Sequence, residues 1–288
     1  MSDFFSTGVR PAVDAYLLEK SKERRSYGEY WPASSAGFCM QRVIFDRLQV
    51  PYVKEDARKQ RVFEVGHIFH EWMQRITQDT KLSVAQETEL QDETLMVRGH
   101  IDDLVVIESI GEPEIIPTSR MPREGSIHGG ESLSLTPRKH QLILYDYKTQ
   151  NSRAFSYQKD RPMSHFHKMQ VGTYTYMLRN GQLQIPELIN LGIRIEDLSE
   201  ARILKISKDD LRMSEQQLLW SPDLEKEIVG YWSTLNGYWK NKRLPFCTCD
   251  KYEGGFFAKQ EYNPYFYKDE PCSVEWATQN INLTGWKI

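Results

Sequence analysis

The stretch with the most chemical promise is Leu142-Ile143-Leu144-Tyr145-Asp146-Tyr147-Lys148. In a strand, alternate side chains share a face, so Leu142, Leu144, Asp146 and Lys148 belong together. Two apolar residues therefore lead into an acid and a base. A carboxylate at the end of a buried strand is costly unless it is paired or binds a metal. Lys148 has two readings: an ion-pair partner that only neutralises Asp146, or a group that acts on a bound substrate. A second acid has a similar setting. Asp102, in Gly99-His100-Ile101-Asp102, shares a face with Leu104 and Val106. Asp103 points the other way and is expected to be exposed.

Two carboxylates and a lysine are what metal-assisted phosphodiester hydrolysis requires. Mg²⁺ or Mn²⁺ prefers oxygen ligands and keeps waters for the reaction. The ion lowers the pKa of a bound water and neutralises charge building on the phosphate. A lysine orients that water or stabilises the transition state.

Other side chains are candidates by helical geometry. Val62, Val65, Phe69, Trp72, Met73 and Ile76 form one apolar stripe on a helix read from Asp56 to Thr77. At about 100° per residue His70 lies on the flank of that stripe, where a core meets solvent, and His67 nearly opposite it. A single histidine there reads equally well as structural. Gln170 and Tyr174, four apart, stack on the apolar side of a helix read from His165 to Leu178. A glutamine in that position needs a hydrogen-bonding role, either in a site or to the backbone.

The elements that must position these residues follow from periodicity. Pro11 to Arg25 and Ser34 to Leu48 read as helices. Strands are expected over Leu82–Leu90, Leu95–Ile107, Gln141–Lys148 and Ala201–Ser207, and a further helix over Pro222–Lys240. Glu108 to His140 is rich in proline and glycine and reads as a long exposed insertion between two strands that should pair or neighbour each other. The order of elements predicts an α/β fold, a central mixed sheet flanked by helices. The expected divisions are an N-terminal helical segment, 1–55, a core, 56–240, that carries the insertion 108–140, and a cysteine-bearing tail, 241–288.

The chain has 288 residues, 40% hydrophobic and 27% charged, which is ordinary for a soluble protein. No apolar run approaches a membrane span, and Met1 to Arg10 lacks the apolar core of a signal peptide. A cytoplasmic, intracellular location is therefore expected. In a reducing compartment the four cysteines are expected to be thiols or metal ligands. A net charge of −3 excludes nucleic-acid binding by a basic surface overall. Local patches exist at Lys20–Arg25, Arg58–Arg61 and Lys240–Arg243, each equally readable as a solvated helix face.

Taken together, these residues resemble the PD-(D/E)xK nuclease superfamily, in its RecB-like branch. The resemblance lies in Gly66-x-x-x-His70, Gly99-x-x-Asp102, Asp146-x-Lys148 and Gln170-x-x-x-Tyr174, in that order and each on the expected helix or strand. It implies a restriction-endonuclease-like core. His70, Asp102, Asp146 and the backbone carbonyl of Tyr147 would be ligands of Mg²⁺ or Mn²⁺. Lys148 would be catalytic, with Asp102 and Asp146, and Gln170 and Tyr174 would support the site or the DNA. Some members, the AddB type and the CRISPR-associated four-cysteine exonucleases, carry a [4Fe–4S] cluster with one ligand before the nuclease core and three after it. Cys39, within Gly37-Phe38-Cys39-x-x-Arg42, and Cys247, Cys249 and Cys272 match that arrangement. Cys-x-Cys at Cys247 departs from the commoner Cys-x-x-Cys, and zinc is the alternative occupant. Such a cluster would tie the N-terminal helices to the tail as a lobe beside the nuclease. The tail aromatics Tyr252, Phe256, Phe257, Tyr262, Tyr265 and Tyr267 would stack on bases or pack the tail.

The expected activity is a metal-dependent DNA exonuclease acting on single strands or duplex ends. The expected partners are DNA, with no membrane, and proteins of DNA repair, CRISPR adaptation or viral DNA processing. The rival reading is a catalytically retired DNA-binding or partner-docking protein of the same fold. A third is an enzyme of this fold acting on RNA or branched DNA, because a metal site reads a phosphodiester and not a base.

Overall fold

The computed structural model describes residues 8–22, 28–53, 57–109, 114–115, 133–134, 139–181, 183–250, 259 and 263–287. In chain order its elements begin with helix α1 (Val9–Lys22), strand β1 (Trp31–Pro32), and helices α2 (Met40–Arg47) and α3 (Ala57–Asp79). Strands β2 (Ser83–Asp92), β3 (Val97–Ser109), β4 (Glu114–Ile115), β5 (Leu133–Ser134) and β6 (Lys139–Gln150) follow. Then come helices α4 (Ser152–Gln158), α5 (His165–Asn180) and α6 (Pro186–Asn190), strands β7 (Glu200–Ser207) and β8 (Met213–Leu219), and helices α7 (Pro222–Lys240) and α8 (Val274–Asn280).

Six strands form one mixed sheet. Strand β3 pairs antiparallel with β2 on one side, and with β6 on the other; β1 runs parallel to the start of β3. Strands β6 and β7 are parallel, and β8 closes the sheet antiparallel to β7. The sheet is flanked by helices, as the order of elements predicts. Met73 of α3, with Phe69 and Trp72, packs on Tyr147, Leu204 and Ile206 on one face. On the other face α5 and α7 bring Met169, Tyr174, Leu224, Ile228 and Trp232 onto Leu142, Leu144, Ala201 and Ile203. Strand β6 is thus covered on both sides, which is why its sequence reads as nearly continuous apolar residues before Asp146.

Three local expectations change. The helix expected from Ser34 starts only at Met40, after a 3₁₀ turn over Ala33–Ser35. Gly37 is the cause: it sits at φ +77°, and a Cβ there would lie 2.9 Å from the Cβ of Met169. The backbone turns where α5 leaves no room for a side chain. The apolar stripe of α3 is not buried along its length: Met73 is 7% exposed, but Val62 is 50% and Val65 39%. The first turns of α3 border a cleft and pack with α1 instead of the sheet, through Lys20–Glu64 (2.9 Å) and Arg61–Asp14. Finally, β3 runs on to Ser109 and β6 begins at Lys139, with Glu108 opposite His140. The proline- and glycine-rich stretch therefore opens from the end of one long antiparallel pair. Within it, β4 pairs with β5, and most of its other residues lie outside the described set. Among the described residues no helix is long and apolar enough to cross a membrane.

Candidate functional site

Beyond Asp103 and Tyr145 the pairing of β3 with β6 stops, and β6 continues alone on that side. The edge of Tyr147 is left without a strand partner there. Asp102 fills the position: the Tyr147 N–H donates to its Oδ2 at 2.7 Å. In extended backbone the N–H and C=O of one residue project to the same edge, so the Tyr147 carbonyl also faces this side. The Tyr147 ring goes to the opposite face, under α3.

Asp146 is 2% exposed. Lys148 Nζ lies 2.8 Å from its Oδ2 and 3.0 Å from its Oδ1, and its hydrogen bond is directed at Oδ1. Gln170 Nε2 donates to the same Oδ1 at 3.1 Å. Oδ2 is fully buried and carries no directed hydrogen bond among the described residues. His70 Nδ1 stands 3.5 Å from Asp102 Oδ2. Gly66, one turn earlier on α3, also faces β6: a Cβ there would meet Thr149 Oγ1 at 3.4 Å, an ordinary van der Waals contact. At Gly99 a Cβ would lie 2.9 Å from both Ala33 Cβ and Tyr174 Cε1, so this glycine admits the Tyr174 ring.

Apart from the buried Asp146, these residues line one cleft of about 750 Å³. Asp102, His70, Tyr147, Lys148, Gln170 and Tyr174 are on its wall, as are Gly66 and Gly99. Lys20, Arg98, His100 and Lys208 add positive or titratable groups. His67 also borders the cleft and is exposed.

The electrostatics are those of two neighbouring carboxyls that share one lysine ammonium. Burial, then the nearby Asp146, pushes Asp102 up to about 8. Burial pushes His70 below its usual value, with Lys148 adding to the effect, so the imidazole is neutral and keeps a lone pair. Burial alone would lower Lys148, but Asp146 and Asp102 more than offset it and hold the ammonium charged. A neutral imidazole nitrogen, two carboxylates and a backbone carbonyl are hard or borderline donors that suit Mg²⁺ or Mn²⁺. The raised Asp102 carboxyl is the feature that a divalent cation would relieve.

Three neighbours escape the sequence reading. Asp103, expected to be exposed, is completely buried. Its carboxylate accepts from Thr77 Oγ1 (2.5 Å), Ser83 Oγ (2.5 Å), Tyr147 OH (2.8 Å) and Gln86 Nε2 (3.3 Å). It faces away from Asp102, as expected, but α3 covers that face. Through the Tyr147 hydroxyl it fixes the residue whose backbone holds Asp102. Glu87 lies across from Asp102 on β2 at φ +44°, and Gln74 Nε2 donates to its Oε1 (2.6 Å) and to the Asp102 carbonyl (3.3 Å). The Asp-Asp doublet within an apolar run is the signal that marked Asp103; Glu87 and Gln74 have none.

The four cysteines meet in a second group, none of them on the cleft wall. Cys39 caps the start of α2, and its sulfur lies 3.9 Å from that of Cys247; Cys249 and Cys272 are 3.5 Å apart. All four sulfurs lie within 4.8 Å of one another. Asn263 Nδ2 donates to Cys249 Sγ (3.5 Å) and Cys272 Sγ (3.4 Å), and the Thr248 N–H to Cys39 Sγ (3.3 Å). Mutual hydrogen bonding lowers the Cys39 thiol, led by Cys247, and raises Cys272. This group can hold a metal, and it ties the N-terminal segment to the tail. Around one tetrahedral ion with bonds near 2.3 Å, thiolate sulfurs stand about 3.8 Å apart. The sulfurs as placed have the spacing of a single ion; an iron–sulfur cluster is larger and needs them further apart. Tyr265 is buried, donating its hydroxyl to Asp46, and packs the tail; Tyr267 packs on Trp276. Tyr252, Phe256, Phe257 and Tyr262 lie outside the described residues.

No family model matches the chain. No curated protein matches it either. Among solved structures, the crystal structure of SSO0001 is similar, with a TM-score of 0.45 and 13% sequence identity, over 81% of this chain and 86% of that one.

Proposed function

We propose that this protein is a metal-dependent DNA nuclease of the PD-(D/E)xK type, RecB-like branch, acting as an exonuclease on single-stranded or end-bearing DNA. The observation that carries the reading is the meeting of Asp102, Lys148 and His70 on one cleft wall, with Asp146 buried beside them and ion-paired to Lys148. His70, Asp102, Asp146 and the Tyr147 carbonyl would hold Mg²⁺ or Mn²⁺. Such an ion, when bound, lowers the pKa of a water and neutralises charge on the phosphate.

The chain's own residues do the rest. The Tyr147 N–H orients Asp102, and the Gln170 amide orients Asp146. Preset ligands of this kind avoid reorganisation during the reaction. The Lys148 ammonium, kept protonated by both acids, is placed to meet charge that develops on a phosphate oxygen or to orient the attacking water. Arg98, His100 and Lys208 on the cleft wall suit the phosphates of a strand.

At the cysteine centre the resemblance favours a [4Fe–4S] cluster in a structural role, and the sulfur spacing favours one zinc ion. Iron, sulfide and zinc analysis of anaerobically purified protein separates them. For the active site, the test is digestion of end-labelled single- and double-stranded DNA with Mg²⁺ or Mn²⁺. Cleavage by the wild type and its loss in Lys148→Ala are expected. A wild type that binds DNA but never shortens it favours the retired, binding-only reading.

A further inference from the structure

Beside Lys148, on the face covered by α5, lies a second buried lysine. Lys205 stands opposite Lys148 in the β6–β7 pairing and is 2% exposed. Partners in neighbouring strands share a face about 4.8 Å apart. The surroundings of Lys205 are polar where the interior of a sheet is ordinarily apolar. Gln150 lies two residues beyond Lys148 on the same face, and Gln216 of β8 stands opposite Ile203, two residues before Lys205.

Both glutamines are tied to the same segment. Gln150 Nε2 donates to Gln158 Oε1 at 2.8 Å. Gln216 Nε2 donates to the carbonyls of Arg161 (2.5 Å) and Gln158 (3.4 Å). With their amide nitrogens committed, the two side-chain oxygens are left fully buried with no donor among the described residues. His167 of α5 is also buried, and its Nδ1 has no partner there either. Burial, then Lys148 and Lys205, push His167 down to about 3, so it is neutral.

Three buried polar atoms without partners among the described residues, next to a buried lysine, make a poor way to stabilise a fold. Apolar side chains of the same size commonly serve as well or better. Buried polar groups of this kind are satisfied by ordered water, which needs two to four polar partners. We propose that Lys205, Gln150, Gln216 and His167 enclose internal waters that brace Lys148, which makes Lys205 a positioning residue for the reaction at that lysine. The proposal rests on the nuclease reading above.

Lys205→Met removes the charge and keeps most of the length. With Mn²⁺ and labelled DNA, kcat is expected to fall about 10- to 100-fold, the range typical of supporting residues around a metal site, with KM within about 2-fold. The melting temperature should stay level or rise. A parallel loss of melting temperature and kcat would mark a structural role and overturn the proposal, as would an unchanged kcat. If the Met variant does not fold, Gln216→Leu should show the same split between stability and kcat. A crystal structure of the wild type that resolves waters should show them bonded to Gln150 Oε1, Gln216 Oε1 and Lys205 Nζ. A dry pocket overturns the proposal whatever the activity. Waters in place in a wild type that cuts no DNA would instead refute the nuclease reading and, with it, the role of Lys205.

Discussion

Replacing Asp102 with asparagine should make the protein more stable while removing a ligand of the proposed metal site. Burial and Asp146 raise the Asp102 carboxyl to about 8, against 3.8 for the free group. A folded-state pKa above the unfolded one gives stability that is complete below pH 3.8 and is lost as the pH climbs through 8. Each pH unit in that window costs about 1.4 kcal/mol, so the ceiling at pH 8 is about 5 kcal/mol. The side chain is 16% exposed, and water reaching it lowers the expected cost to about 2 kcal/mol. Asparagine keeps an oxygen for the Tyr147 N–H and carries no charge to bury. Urea unfolding at pH 8 without divalent ions should therefore show Asp102→Asn more stable than wild type by about 2 kcal/mol. The gap should shrink by more than half at pH 5, where most of the loss in the wild type has yet to occur. Millimolar Mn²⁺ should then stabilise the wild type and leave the variant nearly unchanged, because a cation takes the place of the Asp102 proton. A variant less stable than wild type at pH 8, or a gap that ignores pH, would refute the electrostatic reasoning.

Other perturbations have equally specific outcomes. Asp103→Ala leaves the donors of Thr77, Ser83, Gln86 and Tyr147 facing an empty site, and should destabilise by about 3 kcal/mol or more in urea titrations. Gly99→Ala drives a methyl against Ala33 and Tyr174, and should cost about 1–3 kcal/mol and weaken Mn²⁺ binding by displacing Tyr174. Cys249→Ser should lower bound zinc or iron and the melting temperature together; full retention of the metal would remove Cys249 from the centre.

The site was legible in the sequence where residue types and period agree. Asp146 and Lys148 share a face because β6 is a regular strand, and the flank position of His70 follows from the helical period alone. Gln170 reaches Asp146 as a buried glutamine with a hydrogen-bonding role must. Legibility failed where tertiary contacts decide. Nothing local to Asp103 says that α3 will cover it, because the Thr77, Ser83 and Gln86 donors come from elsewhere in the chain. The apolar stripe on α3 reads as core, yet its first turns border the cleft. Gly37 ends the reading of one helix from Ser34 through a positive φ forced by Met169, a residue distant in sequence. Lys205 has no local signal in its strand, because its neighbours Gln150 and Gln216 come together only through pairing across β6, β7 and β8.

The proposed activity is cleavage of phosphodiesters, with a divalent metal, at the cleft lined by Asp102 and Lys148 beside the buried Asp146. It is tested most directly by incubating end-labelled DNA with purified wild type and Lys148→Ala, with Mn²⁺ and with chelator. Stepwise shortening by the wild type with Mn²⁺, none with chelator, and none by a folded Lys148→Ala is the predicted result. Equal cleavage by the two proteins would contradict the account.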